Sequence, residues 1–267
     1  MSTTTSTQSS GLLDVLLPAF EQETGIVVKV IAKGTGAAIR DGVDGNVDLI
    51  FVHAKQREEK FVQDGYGTKR YAVMHNDFVV VGPPTDPAGI RGMANAVEAF
   101  RKIAASGALF VSRGDDSGTH IKEQFLWSKT GFMMEQGSET ILQKGKEKKV
   151  SFAYPGGLGK WYLSIGQGMG KTLTFADEKK AYALADRGTY LKYTLGSDLP
   201  VALEILSEGD SDLVNPYGVI PVNSKTHAHV NYEDAQTFAE WLVSENGQKL
   251  IDGYKLLGKQ LFLPDSL

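Results

Sequence analysis

Apolar residues fall at Leu12, Leu13, Val15, Leu16, Leu17 and Phe20, the recurrence of one helical stripe. The spacing predicts a helix over 10–23, with Ser9 or Ser10 as N-cap and Gly25 as its stop. The pattern then changes. Residues 26–32 (IVVKVIA) read as a strand, and KGTGAAIRDG turns through Gly34, Thr35 and Gly36 into a short helix. Residues 47–54 (VDLIFVHA) form a near-continuous apolar run, expected of a strand buried on both faces. KQREEKFVQDG follows as an exposed helix.

Residues 76–84 (NDFVVVGPP) are a strand halted by Gly-Pro-Pro, and the alternation then restarts. NAVEAFRKIAAS reads as a helix, ALFVSR as a strand, and SGTHIKEQFLWSKTG as a helix starting near Ser117. AYALAD is a further strand followed by RGTYLKY, LVNPYGVIPVN a long apolar strand, and YEDAQTFAEWLVSENGQKLIDGY one or two amphipathic helices. Strands alternating with helices predict an α/β fold with open, mainly parallel sheets flanked by helices. Two long strands, near 76–83 and 214–222, bracket the middle of the chain. The expected architecture is therefore discontinuous: lobe I from 1–79 and 221–267, lobe II from 80–220, with two crossing segments as a hinge.

Composition narrows the partners. With 28 basic and 32 acidic residues the net charge is −4, and no basic excess exists to track a nucleic acid. There are no cysteines, which removes disulfides, thiol nucleophiles and thiolate metal sites together. No apolar run approaches the ~20 residues that span a bilayer, and no signal segment precedes the Ser/Thr-rich start.

Candidate chemistry lies at three hydroxyl-rich strand-to-helix turns. The sharpest is SRGDDSGTH, 112–120, where Ser117 can cap a helix and Gly118 keeps its first turn bare. The amides of Ser117, Gly118 and Thr119 would point outward with the positive end of the helix dipole, and Arg113 could bring a forked donor to the same spot. Such a set could receive a tetrahedral oxyanion. An ordinary capped helix with Arg113 paired to Asp115 or Asp116 fits the spacing equally well. KGTGA around Thr35 and the opening TTTSTQSS repeat the theme. Ligands of open α/β sheets sit outside the carboxyl ends of strands, where such turns lie.

Other motifs carry less. GQGMGKT, 166–172, lacks the first glycine of a phosphate-cradling loop, since Ile165 stands there. It reads as a Gly-rich bend between helices. His227 and His229 lie in a polar surface stretch without a third ligand nearby, His120 belongs to the turn at 112–120, and KGKEKK (144–149) is a solvated charge run. No G-x-S-x-G elbow or divided carboxylate pair marks an enzyme. No cofactor is expected, and no metal.

The segments TTTSTQSSGLLDVLLPAFEQETGI, GTG, VDLIFVHA, NDFVVVGP, SRGDDSGTH, ADRGTYL and NPYGVIPVN stand in one order. Together they resemble the Tup-type tungstate-binding periplasmic proteins of ABC uptake transporters, from about Thr3 to Leu267. SRGDDSGTH alone also resembles the loop of phosphate-binding proteins. The resemblance implies a two-lobed type II periplasmic binding protein fold with the oxyanion in the cleft between lobes. Ligand contacts would come from Thr4, Thr5, Ser6, Thr35, Arg113, Ser117, Gly118 and Thr119, with Asp115 and His120 behind them. It implies binding of tungstate, and of molybdate beside it, and delivery to an ABC transporter permease. A monomer is expected, periplasmic or extracellular and membrane-tethered, with its signal segment absent from this chain. Members of the family carry a strand before the Thr-Thr-Thr-Ser loop; here only Met1 and Ser2 precede it, so that strand is expected missing or shortened. A phosphate-binding protein, with Asp115 accepting the phosphate proton, is the alternative. A phosphate-ester hydrolase using Ser117 or Asp115 comes after it.

Overall fold

The structure, a computed structural model, describes residues 1–143, 146–157 and 160–266. Lys144 and Gly145 of the charge run therefore lie outside the described residues. Contacts divide the chain into two units: residues 1–76 with 215–267, and residues 77–214.

The first unit opens with β1 (Ser2–Thr4), α1 (Thr5–Ser10), α2 (Leu13–Thr24), β2 (Ile31–Lys33), α3 (Thr35–Val43), β3 (Leu49–Val52) and α4 (Lys55–Gln63). β4 (Tyr71–Gly82) carries the chain across the boundary. The second unit holds α5 (Ala96–Ser106), β5 (Phe110–Ser112), α6 (Gly118–Lys129), β6 (Met134–Gln143), β7 (Lys146–Pro155), β8 (Tyr162–Ser164), α7 (Met169–Lys179), β9 (Ala183–Asp186), α8 (Arg187–Leu195) and β10 (Glu204–Ser207). After a 3-10 turn at Ser211–Leu213, β11 (Val214–Pro221) returns the chain. α9 (Tyr232–Leu242), α10 (Glu245–Gly253), the small pair β12 (Lys255–Leu256) and β13 (Lys259–Gln260), and β14 (Leu263–Pro264) complete the first unit.

The sheets are mixed rather than mainly parallel. In the first unit β1 lies between β2 and β3, parallel to both, while β11 runs antiparallel to β3 and β14 to the start of β4. In the second, β5 and β8 are parallel, and β9 and β10 both run antiparallel to β4. The strands joined by crossover helices are the parallel ones; those that carry the chain back are antiparallel.

Both faces of the central strands are buried, as their continuous apolar runs require. In β3, Leu49 and Phe51 enter one core with Phe20, Phe238 and Leu242, while Ile50 and Val52 enter another with Phe61 and Ile220. In β4, Phe78 and Val80 face a core built on Phe100, Trp127 and Trp161, and Val79 and Val81 face Leu173 and Ala183. Each such large side chain contributes roughly 1.5–3 kcal/mol when fully buried.

Four sequence expectations need correcting. The helix expected over 10–23 is two. Gly11, at φ 87°, ends α1, and α2 begins at Leu13. Neither Ser9 nor Ser10 caps α2; the N-cap is Leu12, and Ser10 Oγ accepts from the Leu12 amide. Gly25 is the C-cap at φ 73°, as expected. The strand expected over 26–32 shrinks to β2, whose Ile31 and Ala32 are exposed. β1 is a short, central strand of three residues made from the start of the hydroxyl run itself, Ser2–Thr4. GQGMGKT follows β8 and leads into α7, making it a strand-to-helix turn and not a bend between helices. The β6–β7 hairpin, ten residues a side, is an element that the sequence reading does not include.

Candidate functional site

In the first unit the carboxyl ends of β2, β1 and β3 lie side by side, with Thr4 opposite Lys33. The opening hydroxyls divide by role. Ser2 donates to Asp41 at 2.9 Å and Thr3 to the Phe51 carbonyl at 2.7 Å, both fully buried. Thr4 is the N-cap of α1: its hydroxyl accepts from the Thr7 amide and is bonded to the hydroxyls of Thr7 at 2.6 Å and Ser6 at 3.0 Å. Thr5 and Ser6 are exposed. Thr35 is the first residue of α3, half-buried, behind an N-cap glycine that offers no side chain. The structure thus brings Thr4, Thr5, Ser6 and Thr35 to one edge of one sheet.

Two residues at this edge escaped sequence reasoning. His53, just past β3, bonds Ser6 Oγ through Nε2 at 3.2 Å and Asn215 Oδ1 through Nδ1 at 3.2 Å. Arg57 on α4 places Nη1 3.7 Å from where a Cβ on Gly36 would stand. Arg57 sits in no motif, and His53 only ends the apolar run VDLIFVHA; the return of β3 beside β1 brings them there. Lys33, by contrast, is tied to Asp41 at 2.8 Å.

In the second unit Arg113 leaves β5 and Ser117 caps α6, its Oγ accepting from the His120 amide at 3.3 Å. Gly114 at φ 59° and Asp116 at φ 60° bend the chain between them. The Arg113–Asp115 pairing of an ordinary capped helix is present: Arg113 Nη2 donates to Asp115 Oδ2 at 2.6 Å, and Asp115 Oδ1 accepts from the Ser117 amide at 3.2 Å. Arg113 Nη1 reaches Thr119 Oγ1 only at 3.4 Å. Other donors are unspent. Arg113 Nε is buried without a partner, and the amides of Gly118 and Thr119 meet no acceptor among the described residues. His120 accepts from the Asp116 amide at 3.0 Å, which fixes the turn. Asp115, Thr119 and His120 are all buried.

The Gly-rich turn belongs to the same edge. The Gln167 amide donates to the Arg113 carbonyl at 3.0 Å, and Ile165 to that of Ser112 at 3.2 Å. A second helix N-terminus, that of α7 with Gly168 as N-cap, therefore starts one strand away. Ile165 still breaks the nucleotide-loop pattern. His227 and His229 bond the carbonyls of Val43 and Gly45 at 2.9 and 2.8 Å, a structural task that accounts for both. No group of three or more metal-ligating side chains exists among the described residues, and no helix among them is long and apolar enough to cross a membrane.

The chemistry is one of donors: hydroxyls on one unit; a guanidinium, hydroxyls and bare amides on the other. A fully deprotonated oxyanion only accepts hydrogen bonds, so such sets match it.

Comparison with known proteins gives a consistent result. Residues 1–246 match the family model described as a PBP superfamily domain. The chain is 44% identical to the tungstate-binding protein TupA of Peptoclostridium acidaminophilum, over 100% of this chain and 85% of that one. The structure of the tungstate-binding protein TupA of Desulfovibrio alaskensis G20 superposes with a TM-score of 0.88 at 42% identity, covering 100% of this chain and 98% of that one. The structure titled as the tungstate ABC transporter of Geobacter sulfurreducens matches at 46% identity and TM-score 0.74, covering 95% and 97%.

Proposed function

This chain belongs to the PBP superfamily and, within it, to the family of tungstate-binding TupA proteins, and from that premise we propose that it captures tungstate outside the cytoplasm and delivers it to an ABC transporter permease. In this reading Thr4, Thr5, Ser6 and Thr35 supply donors from the first unit, and Arg113, Ser117, Gly118 and Thr119 from the second.

The observation that carries the proposal is the unspent donor set at Arg113. The buried Arg113 Nε and the amide of the buried Thr119, left without acceptors, are costly to leave unmet, about 1–3 kcal/mol for each buried donor. A four-oxygen anion satisfies them at once. A charge-assisted bond contributes roughly 1.5–3 kcal/mol and a neutral one about 0.5–1.5. One Arg with several neutral donors can therefore reach nanomolar binding, about −12 kcal/mol. Molybdate, also a fully deprotonated tetrahedral dianion, should bind the same donors; smaller sulfate would leave them stretched.

The test is thermal denaturation with tungstate, molybdate, sulfate and phosphate. A ligand at about 100 times its Kd should add roughly 2.7 kcal/mol. A response to tungstate and molybdate above the other two supports the reading, and a flat response to all four ends it. Phosphate alone would favour the second reading, for which the buried Asp115 carboxylate beside Arg113 supplies an acceptor for a phosphate proton. Turnover of a chromogenic phosphate ester that is lost in Ser117→Ala would instead mark a hydrolase.

A further inference from the structure

Behind the Arg113 turn lies a carboxylate that the site does not use. Glu123, on α6, is 2% exposed. Its Oε2 accepts from Ser112 Oγ at 2.6 Å. Its Oε1 accepts from Tyr162 OH at 2.7 Å, Trp127 Nε1 at 3.0 Å and Gln124 Nε2 at 3.4 Å. These donors come from β5, β8 and α6 itself. No cation pairs with Glu123 among the described residues; Lys122 beside it turns to the carbonyls of Asp212 and Val214. Ser112 has a second task, accepting from the Gly114 amide at 3.2 Å, inside the turn that starts with Arg113.

We propose that Glu123 is the positioning residue of the oxyanion turn: through Ser112 it fixes the Gly114 amide and the backbone that carries Arg113, and its charge sets how tightly the anion is held. The inference rests on the tungstate-binding reading above. A buried carboxylate with neutral donors and no counter-cation repels a dianion bound a few residues away, because the low-dielectric interior screens it little. The anion therefore favours the neutral form of Glu123, and the neutral form favours the anion.

Burial supports a titration in the accessible range, pushing this carboxyl up to about 7 against the pull of its four donors. The other ionisable groups around it are few. Tyr162 on β8 is held well above its ordinary value by burial and by Glu123. Tyr154 on β7 stacks on Tyr162 at 5.3 Å. His120 lies one turn earlier on α6, and Arg113 with Asp115 lies beyond Ser112. Tungstate binding should thus take up a proton near pH 7, and affinity should fall as pH rises.

The test is calorimetric titration with sodium tungstate between pH 6.5 and 8.5, in buffers of different ionisation enthalpy. The wild-type chain should take up a fraction of a proton near pH 7 and bind roughly threefold or more tighter at the acid end. Glu123→Gln keeps the shape and mimics the neutral acid. It should bind at pH 8.5 as the wild type does at pH 6.5, with most of the pH dependence gone. Tyr162→Phe removes one donor from the ionised form while leaving the Ser112 hydroxyl bonded to both Glu123 and the Gly114 amide, so it should move the midpoint of the wild-type profile to higher pH. Absence of proton uptake in the wild type, an unchanged profile in Glu123→Gln, or an unmoved midpoint in Tyr162→Phe would each overturn the proposal. In all three cases tungstate still binds; loss of binding by the wild type at every pH would sink the functional reading instead.

Discussion

Arg113 Nη2 donates to Asp115 Oδ2 at 2.6 Å, two residues along the same turn. The contact holds the guanidinium at the mouth of α6 while leaving Nε buried without a partner. It orients the donor without exhausting it. Arg187 is the contrasting case: Asp77 takes it through both oxygens, and Glu208 adds a third contact at 2.6 Å.

Arg113→Ala should therefore weaken tungstate binding by roughly 10- to 150-fold, the worth of one charge-assisted bond, about 1.5–3 kcal/mol. Arg187→Ala should change stability and leave affinity within about threefold. Calorimetric titration of both variants checks the pair. Equal losses would place the anion somewhere other than the α6 turn.

Gly114 is needed for two separate reasons. Its φ is +59°, and an added Cβ would stand 2.0 Å from Ser164 Oγ. The left-handed conformation costs an L-residue roughly 1–2 kcal/mol, and overpacking typically adds 1–3. Gly25, at φ +73°, has open space around it. Gly114→Ala should thus lower unfolding free energy in urea by about 2–5 kcal/mol and impair tungstate binding. Gly25→Ala should cost only about 1–2 and leave binding intact. Similar stabilities would show that the Gly114 turn relaxes.

The contrast between these glycines also shows where sequence reading stops. Gly25 as a helix stop, Ser117 as a cap and the Gly82-Pro83-Pro84 end of β4 were legible because each is a local device with a local signature. α1 was not, because its Thr-Ser-Thr-Gln-Ser-Ser carries no apolar stripe and its helix rests on a cap. The β6–β7 hairpin was not, because its first strand, MEQGSETILQ, is mostly polar and the alternation of Val150 and Phe152 in the second covers only a few residues behind a charge run. Of the candidate site, the hydroxyl turns and Arg113 stand in local motifs; Arg57 and Glu123 do not, and His53 only ends an apolar run, since each arrives through tertiary packing that its neighbours in sequence do not signal.

Stability should fall as pH rises from about 4.5 to 7. Burial raises the Glu123 carboxyl from 4.5 to about 7, and Glu58, fully buried against Arg70, is raised to about 7 by the same cause. A group raised in the folded state holds its proton there while the unfolded chain has lost it. Its stabilisation is complete below 4.5 and is lost as pH climbs through 7. Asp86, whose carboxyl is lowered, acts only in more acid solution. Urea midpoints of the ligand-free protein at pH 5, 6, 7 and 8 should decline and then flatten. Glu123→Gln should remove its share of the slope. A rising midpoint over this window would contradict both assignments.

The six residues of α1 depend on one hydroxyl. Thr4 Oγ1 accepts from the Thr7 amide and meets the hydroxyls of Thr7 and Ser6, and Thr4 itself is 3% exposed. A helix this short does not offset its own nucleation cost, and without an apolar stripe packing adds little, so the cap decides whether it forms. Thr4→Val keeps the shape and deletes the oxygen. It strips the Thr7 amide of its acceptor and the Thr7 hydroxyl of its partner, a loss of about 1–3 kcal/mol. Thr4→Ser keeps the oxygen and should behave as the wild type to within about 0.5 kcal/mol. Because Thr5 and Ser6 ride on the first turn of α1, Thr4→Val should also weaken tungstate binding, and Thr4→Ser should not. If Thr4→Val loses stability yet binds tungstate normally, the opening hydroxyls serve the fold alone.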